Sequence, residues 1–342
     1  MRISLSHALC GLACLLPSVV NSSDASSRFL SKEFGLDSLI ANATFFDGQA
    51  GQDADASPLR GPYATKSMYL TYDKMDSSDN RILVIYPDVA AADGSSQKFP
   101  FISYAHGAGN LITDYQMLTD GIASFGFVIA VHGACQYGCI DDPSSLSLDP
   151  SGFAHYYKQQ LLSVDYFLGS AGDPASSFPF SLIDASVGAG VAGHSMGGQS
   201  TVFSASYGNA TAHDIRAASM HHAYTHQTPG PTVPFLAFTG ESDNIAWPFM
   251  TSWFSDAADE RLPRGLVNKW DAGHFEPEDD WIWGVSTYNP LFSQYTAAWF
   301  KLYLEGKKTE FGIDFDNMIY GTGEDSVCGG QDGAMAECTM KR

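Results

Sequence analysis

The sequence predicts an α/β protein built on a mostly parallel, doubly wound sheet flanked by helices. Three observations carry this expectation. Short apolar runs alternate along the chain with stretches of helical character. Several runs, among them FPFISYA at 99–105 and FVIAV at 127–131, are continuous rather than alternating, as strands buried on both faces must be. Finally, 342 residues with 44% hydrophobic side chains suffice for one large core.

The elements follow in order. The N-terminus carries Arg2 and then a mostly apolar stretch from Leu9 to Val20. That is signal-peptide length, short of the roughly 20 apolar residues that span a bilayer. Residues 1–22 are therefore expected to be a signal peptide, cleaved between Val20 and Ser27; an uncleaved anchor or a plastid-type presequence is the alternative. Residues 23–60 are polar and read as an irregular lead-in. Strands are expected at 66–72, 81–86, 99–105, 127–131, 187–193, 217–221, 234–238 and 265–270. Helices are expected at 114–125, 152–168, 196–207, 248–258 and 290–304. These elements fill one domain over 61–304. The polar tail, 305–342, reads as an extension stapled on the surface by a cysteine pair.

Cys10 and Cys14 leave with the signal peptide. The other four cysteines fall in two close pairs. One is Cys135 with Cys139. The other is Cys328 with a second tail cysteine, expected at position 337. Two local bridges are the simplest of the three pairings. Four free thiols in a reducing compartment is the alternative. With the sequons at Asn21, Asn42 and Asn209, the pattern suggests the secretory pathway and secretion, or else a plastid or other endomembrane compartment. The 38 acidic and 18 basic residues set a net charge of −20. Such a surface argues against nucleic acid and against docking to anionic lipid. No stable membrane anchor is expected.

The chemistry centres on Gly193-His194-Ser195-Met196-Gly197-Gly198. A G-x-S-x-G between an apolar strand and a helix-forming stretch is the context of a nucleophile elbow. There glycines flank a serine on a tight turn, because side chains would strike neighbouring backbone. Serine alone is a poor nucleophile and needs a base oriented by an acid. In this architecture the chain order is serine, acid, histidine. Asp243 lies in a turn just past the strand at 234–238, with Glu241 as the rival acid. His274 lies in the loop after 265–270, where the base belongs. The oxyanion hole needs two backbone N–H donors. Met196 supplies one. The strand ending in Ala105-His106-Gly107-Ala108-Gly109-Asn110 supplies the other through Ala108.

The remaining candidates are weaker. His221, His222 and His226 suggest a metal site, but H-E-x-x-H is absent and no metal is expected. His132 and His155 read as structural. The run Glu276-Pro277-Glu278-Asp279-Asp280 reads as a solvated loop. Asp314-Phe315-Asp316-Asn317 starts like a calcium loop but lacks its spacing.

Three stretches, AHGAGN with SFGFVIA after it, AGHSMGGQS, and DAGHFEP, resemble the α/β-hydrolase superfamily over roughly 61–304. Within it the pattern is similar to the branch of chlorophyllases, bacterial cutinase-like polyester (PET) hydrolases and platelet-activating-factor acetylhydrolases. The resemblance implies an α/β-hydrolase fold and a cofactor-free serine esterase. It implies Ser195 as nucleophile, Asp243 as acid, His274 as base, and oxyanion donors Ala108 and Met196. It also places Tyr224 where polyester hydrolases carry an aromatic that stacks on substrate. Departures exist: Met196 stands where plant chlorophyllases resemble G-H-S-R-G-G with Arg, and the loop ACQYGCIDDPSSLSLDP and the cysteine-bearing tail are foreign to the bacterial enzymes. The expected partner is a small hydrophobic ester, with chlorophyllase-like cleavage favoured. Polyester or acyl-lipid hydrolysis and acyl transfer are the other enzymatic readings. A catalytically inactive binding protein on the same fold is the non-enzymatic one.

Overall fold

Along β2 (Arg81–Pro87), Ile82 and Val84 enter one apolar layer while Leu83 and Ile85 enter the other. This two-residue period with both faces covered defines an interior strand. The same split runs through β3 (Phe101–Ala105), β4 (Val128–His132), β5 (Ala189–His194) and β7 (Phe235–Gly240). Phe101, Val128, Val191 and Phe235 face one layer; Ile102, Ile129, Ala192 and Leu236 face the other. The computed structural model describes residues 59–75, 81–89, 97–133, 156–173, 176–206, 208–225, 229–279, 288–329 and 335–342. The expected signal peptide, the lead-in up to Pro58, Asn21, Asn42, His155 and His226 lie outside the described residues.

Adding β1 (Thr65–Thr71), β6 (Ile215–His221), β8 (Arg264–Lys269) and β11 (Met335–Lys341) makes one nine-stranded sheet. Its order is β1-β2-β4-β3-β5-β6-β7-β8-β11. From β4 to β8 the strands run parallel; β2 pairs antiparallel with β1 and β4, and β11 antiparallel with β8. A two-stranded hairpin, β9 (Thr309–Glu310) and β10 (Ile313–Asp314), stands apart. The parallel strands all end at one edge, and the loops leaving that edge build the site.

Helices cover both faces, as a doubly wound sheet requires. α1 (Gln116–Ala123), α6 (Leu291–Tyr303) and α7 (Phe315–Tyr320) pack into one layer. α2 (Tyr156–Gly169), α3 (Met196–Ser204) and α5 (Pro248–Ala257) pack into the other, and a single turn, α4 (Asn209–Ala212), precedes β6. Every strand and helix expected from the sequence is present within a few residues. α3 stops at Ser204 rather than 207, where the Ser206 hydroxyl takes the Val202 carbonyl. α4, α7, β9, β10 and β11 have no counterpart in the sequence expectation.

The tail corrects the sequence reading. The described residues of 305–342 do not merely sit on the surface but belong to the same compact unit as the nine-stranded sheet. Phe315, Met318 and Ile319, at i, i+3 and i+4, are buried beside α6, and so is Val327. Lys301 of α6, itself buried, pairs with Glu305 at 2.5 Å and with Glu310 of β9 at 2.8 Å. Asp314 does not ligand a cation-loop geometry but caps α7, accepting the Asn317 N–H at 2.9 Å. Among the described residues no helix is long and apolar enough to cross a membrane.

The disulfide expectation is corrected as well. Position 337 is not a cysteine: it is Glu337, and the second tail cysteine is Cys338. The bridge is therefore Cys328–Cys338, Cα–Cα 5.5 Å, rather than one ending at 337. The sequence itself carries the one tail partner at 338, and the strand period suits a bridge there. Glu337 is exposed on β11, whereas Cys338 is half-buried and packs against the layer that also holds Cys328. Such a bridge is consistent with an oxidising compartment. The other expected bridge, Cys135–Cys139, lies outside the described residues.

Candidate active site

The strand β5 is buried throughout and breaks abruptly at Ser195, which has φ +55° and ψ −118°. A serine held there stores backbone strain of about 1–3 kcal/mol. The neighbours hold it in place: Ser195 N–H donates to His221 O, and Tyr224 N–H donates to Ser195 O, each at 3.0 Å. The glycines are sterically required. A Cβ at Gly197 would lie 2.0 Å from the Ala105 carbonyl oxygen, and one at Gly193 2.3 Å from that of Gly197. α3 starts at the next residue, so its N-terminal dipole points to where negative charge would develop on a bound carbonyl.

Two other strand ends converge on this serine. Ser195 Oγ lies 2.9 Å from His274 Nε2, and His274 Nδ1 lies 2.8 Å from Asp243 Oδ2. All three residues are buried. Asp243 Oδ1 accepts the N–H groups of Ile245 and Ala246 at 2.9 and 2.8 Å. Burial pushes the Asp243 carboxyl up, but hydrogen bonds from His222 and His274, with the charges of both, hold it well below the usual range. Burial lowers His274, against the raising effect of Asp243. The rival acid, Glu241, points elsewhere and accepts Asn268 Nδ2–H at 2.6 Å.

The loop after β3 is braced from beneath. His106 N–H donates to the Tyr156 hydroxyl at 3.1 Å, and Gly107 N–H to the Tyr115 hydroxyl at 2.9 Å. Among the described residues, the N–H groups of Ala108 and Met196 donate to no protein acceptor. Ala108 is exposed at this loop, and Tyr224 is half-buried beside Ser195. Past Asp243 lie three exposed aromatics: Trp247 meets Phe249 edge to face at 5.3 Å, and Phe249 meets Trp253 at a tilt at 5.0 Å, centroid to centroid.

Sequence reasoning missed three participants. His222, weighed there only as a metal ligand, places Nδ1 2.8 Å from the same Asp243 oxygen that His274 uses. His194 reaches the base loop: its Nε2–H donates to His274 O at 2.7 Å. Burial holds His194 well below its ordinary range, so Nδ1 accepts the Tyr115 O–H at 2.8 Å. A relay from Gly107 through Tyr115 and His194 therefore ties the Ala108 loop to the His274 loop. The third is Glu278. The acidic run expected as a solvated loop is pinned instead: Glu276 takes Lys269 and Asn289, each at 3.1 Å, and Asp279 takes the Met117 N–H of α1 on both oxygens at 2.9 and 3.0 Å. Glu278 is 3% exposed and 3.5 Å from His194 Nδ1. Burial pushes its carboxyl up to about 7, against hydrogen bonds to Asn110 and Tyr115. Asp280 lies outside the described residues. The signal for this run was the spacing: it follows His274 directly, so any residue there must pack against the base loop.

His222, Asp243 and His274 have ligand atoms within 4.8 Å of one another, and among the described residues this is the group with metal-site composition. Both Nδ1–Oδ2 separations are 2.8 Å, a hydrogen-bond length; ligands around a tetrahedral zinc stand roughly 3.3 Å apart. The parallel sheet and the buried His/Asp cluster are compatible with a hydrolase fold. No protein-family model matches the chain, and no curated protein does.

Proposed function

We propose that this protein is a serine carboxylic-ester hydrolase of the secretory pathway. The observation that carries the reading is the unbroken hydrogen-bond chain from Ser195 Oγ through His274 to Asp243. In this mechanism Ser195 attacks the ester carbonyl while His274 Nε2 takes its proton. Asp243 fixes the His274 tautomer and stabilises the imidazolium. The N–H groups of Ala108 and Met196 receive the oxyanion. The alcohol leaves with the proton from His274, and water activated by His274 then releases the acid from Ser195.

The substrate class proposed is a hydrophobic ester with a large apolar alcohol, in the manner of chlorophyllases. The aromatics Trp247, Phe249 and Trp253, which follow the Asp243 turn, support an apolar substrate. The hydrogen bond from the Tyr224 N–H to Ser195 O, which keeps Tyr224 beside the serine, supports Tyr224 as a substrate contact. Ser195→Ala is expected to abolish p-nitrophenyl ester turnover and fluorophosphonate labelling; an unchanged rate overturns the assignment. Rates compared on chlorophyll, short-chain p-nitrophenyl esters and polyester film identify the ester.

A further inference from the structure

The turn that leaves β6 holds an arrangement that a serine–base–acid chain does not by itself require. His222 is fully buried, with its backbone at φ +47°, a region that side chains other than glycine seldom adopt. An outlier of this kind points to a function held in place by its surroundings. Its N–H donates to Phe238 O at 2.9 Å, and its ring packs 5.7 Å from Phe292 and 6.3 Å from His194, centroid to centroid. Nδ1 faces Asp243 Oδ2 at 2.8 Å; Nε2 has no hydrogen-bond partner among the described residues. Among the described residues the ring therefore makes a single hydrogen bond, the one to Asp243. The flanking residues His221 and Tyr224 grip the backbone of Ser195 from both sides, so one short turn joins the nucleophile to the acid.

We propose that His222 is a positioning residue that aligns Asp243, and through it His274, for proton transfer from Ser195. The inference rests on the hydrolase reading above. A carboxylate offers about four lone-pair directions. Here all are taken: Ile245 and Ala246 N–H on Oδ1, His222 and His274 Nδ1–H on Oδ2. Without His222, Oδ2 would keep one donor in a buried site, and the carboxylate could turn about its Cβ–Cγ bond. His222 also divides the charge of Asp243 between two imidazoles, so its removal would concentrate that charge on His274. The other ionisable groups packed around the pair are His194 at the end of β5, 4.8 Å from the His274 ring, His221 of β6, and Glu278 behind His194.

Two substitutions test this. His222→Asn keeps an N–H donor near the Nδ1 position; His222→Phe removes it and keeps a ring against Phe292. Both are checked for folding by unfolding midpoint, then assayed on p-nitrophenyl acetate across pH. His222→Phe is expected to lower kcat by about tenfold or more with KM within about threefold, and to move the acidic limb of kcat/KM to higher pH. His222→Asn recovers most of kcat. A readout independent of turnover is proton NMR of far-downfield imidazole N–H signals: two in the native protein, one in His222→Phe, none in Asp243→Ala. A folded His222→Phe with native kcat and an unmoved limb overturns the proposal, as does His222→Asn failing equally, or a single downfield signal in the native protein. If the native protein turns over no ester and Ser195 takes no fluorophosphonate, the hydrolase reading fails, while the signal count still decides whether His222 holds Asp243.

Discussion

His194 Nε2–H donates to the backbone carbonyl of His274 at 2.7 Å, so the residue before Ser195 also holds the loop that carries His274. The opposite side of the same ring takes Tyr115, which in turn takes Gly107. The Ser195 turn, the loop at 106–110 and the His274 loop are thus joined by one chain of hydrogen bonds.

His194→Ala removes the donor to the His274 carbonyl and the acceptor of the Tyr115 O–H at a buried site. It is expected to destabilise the fold by about 2 kcal/mol or more and to lower kcat with little change in KM. His194→Gln, which keeps an amide donor, should lose less of both. Urea unfolding and steady-state ester hydrolysis measure the two effects.

In the proposed mechanism His274 must be unprotonated to accept the Ser195 proton. Burial lowers His274 from its ordinary 6.5, and this outweighs the raising effect of Asp243. Activity should therefore rise with pH through a midpoint below 6.5 on the acidic limb of kcat/KM. A midpoint on the other side of that ordinary value contradicts the electrostatics described for the site.

Glu278 is raised from 4.5 to about 7 by burial. A carboxyl whose folded value is raised contributes stability fully present below its unfolded value and lost as pH rises through the folded one. Stability should therefore decline between about pH 4.5 and 7, by on the order of 3 kcal/mol from this group. Glu278→Gln should flatten that slope. Denaturant midpoints at three pH values across the window check it.

The Cys328–Cys338 bridge closes a short loop, with a sequence separation of 10, that anchors β11 to the sheet edge. Cys338→Ser is expected to cost roughly 2.5 kcal/mol through loop entropy. The kcat on a soluble ester should change little, because β8 keeps its pairing with β7. Thermal melts of the two proteins, with activity measured at a temperature where both are folded, test this.

Much of the fold is legible in the sequence because its signals are local. Continuous apolar runs such as FISYA and VIAV can be buried only between two layers, and the helical stretches between them have no other place to pack. The missed β11 lies in a polar tail with alternating exposure and no apolar run. Its strand state comes from the open edge of β8 and the disulfide, neither of which is visible in its own residues. That alternation also decides the bridge, turning Glu337 to solvent and Cys338 toward Cys328. The acidic run after His274 defeats composition for a similar reason. Composition alone makes Glu278-Asp279 a solvated loop; the unfilled N-terminus of α1 and the Asn110–Tyr115 pair draw it inward.

By itself the sequence determined the elbow, since Gly193 and Gly197 encode a turn that sterics permit to no other residues, and the order of serine, acid and histidine along the chain. It left Asp243 and Glu241 as rivals and gave His222 no role in that chain. Only the tertiary structure shows that Asp243, and not Glu241, meets His274 and that His222 shares its oxygen, because the parallel strands β5, β6, β7 and β8 end at one edge and bring side chains distant in sequence within 2.8 Å of that oxygen. Local sterics and periodicity are written in neighbouring residues, whereas a hydrogen bond between two strand ends exists only once the sheet has set their register.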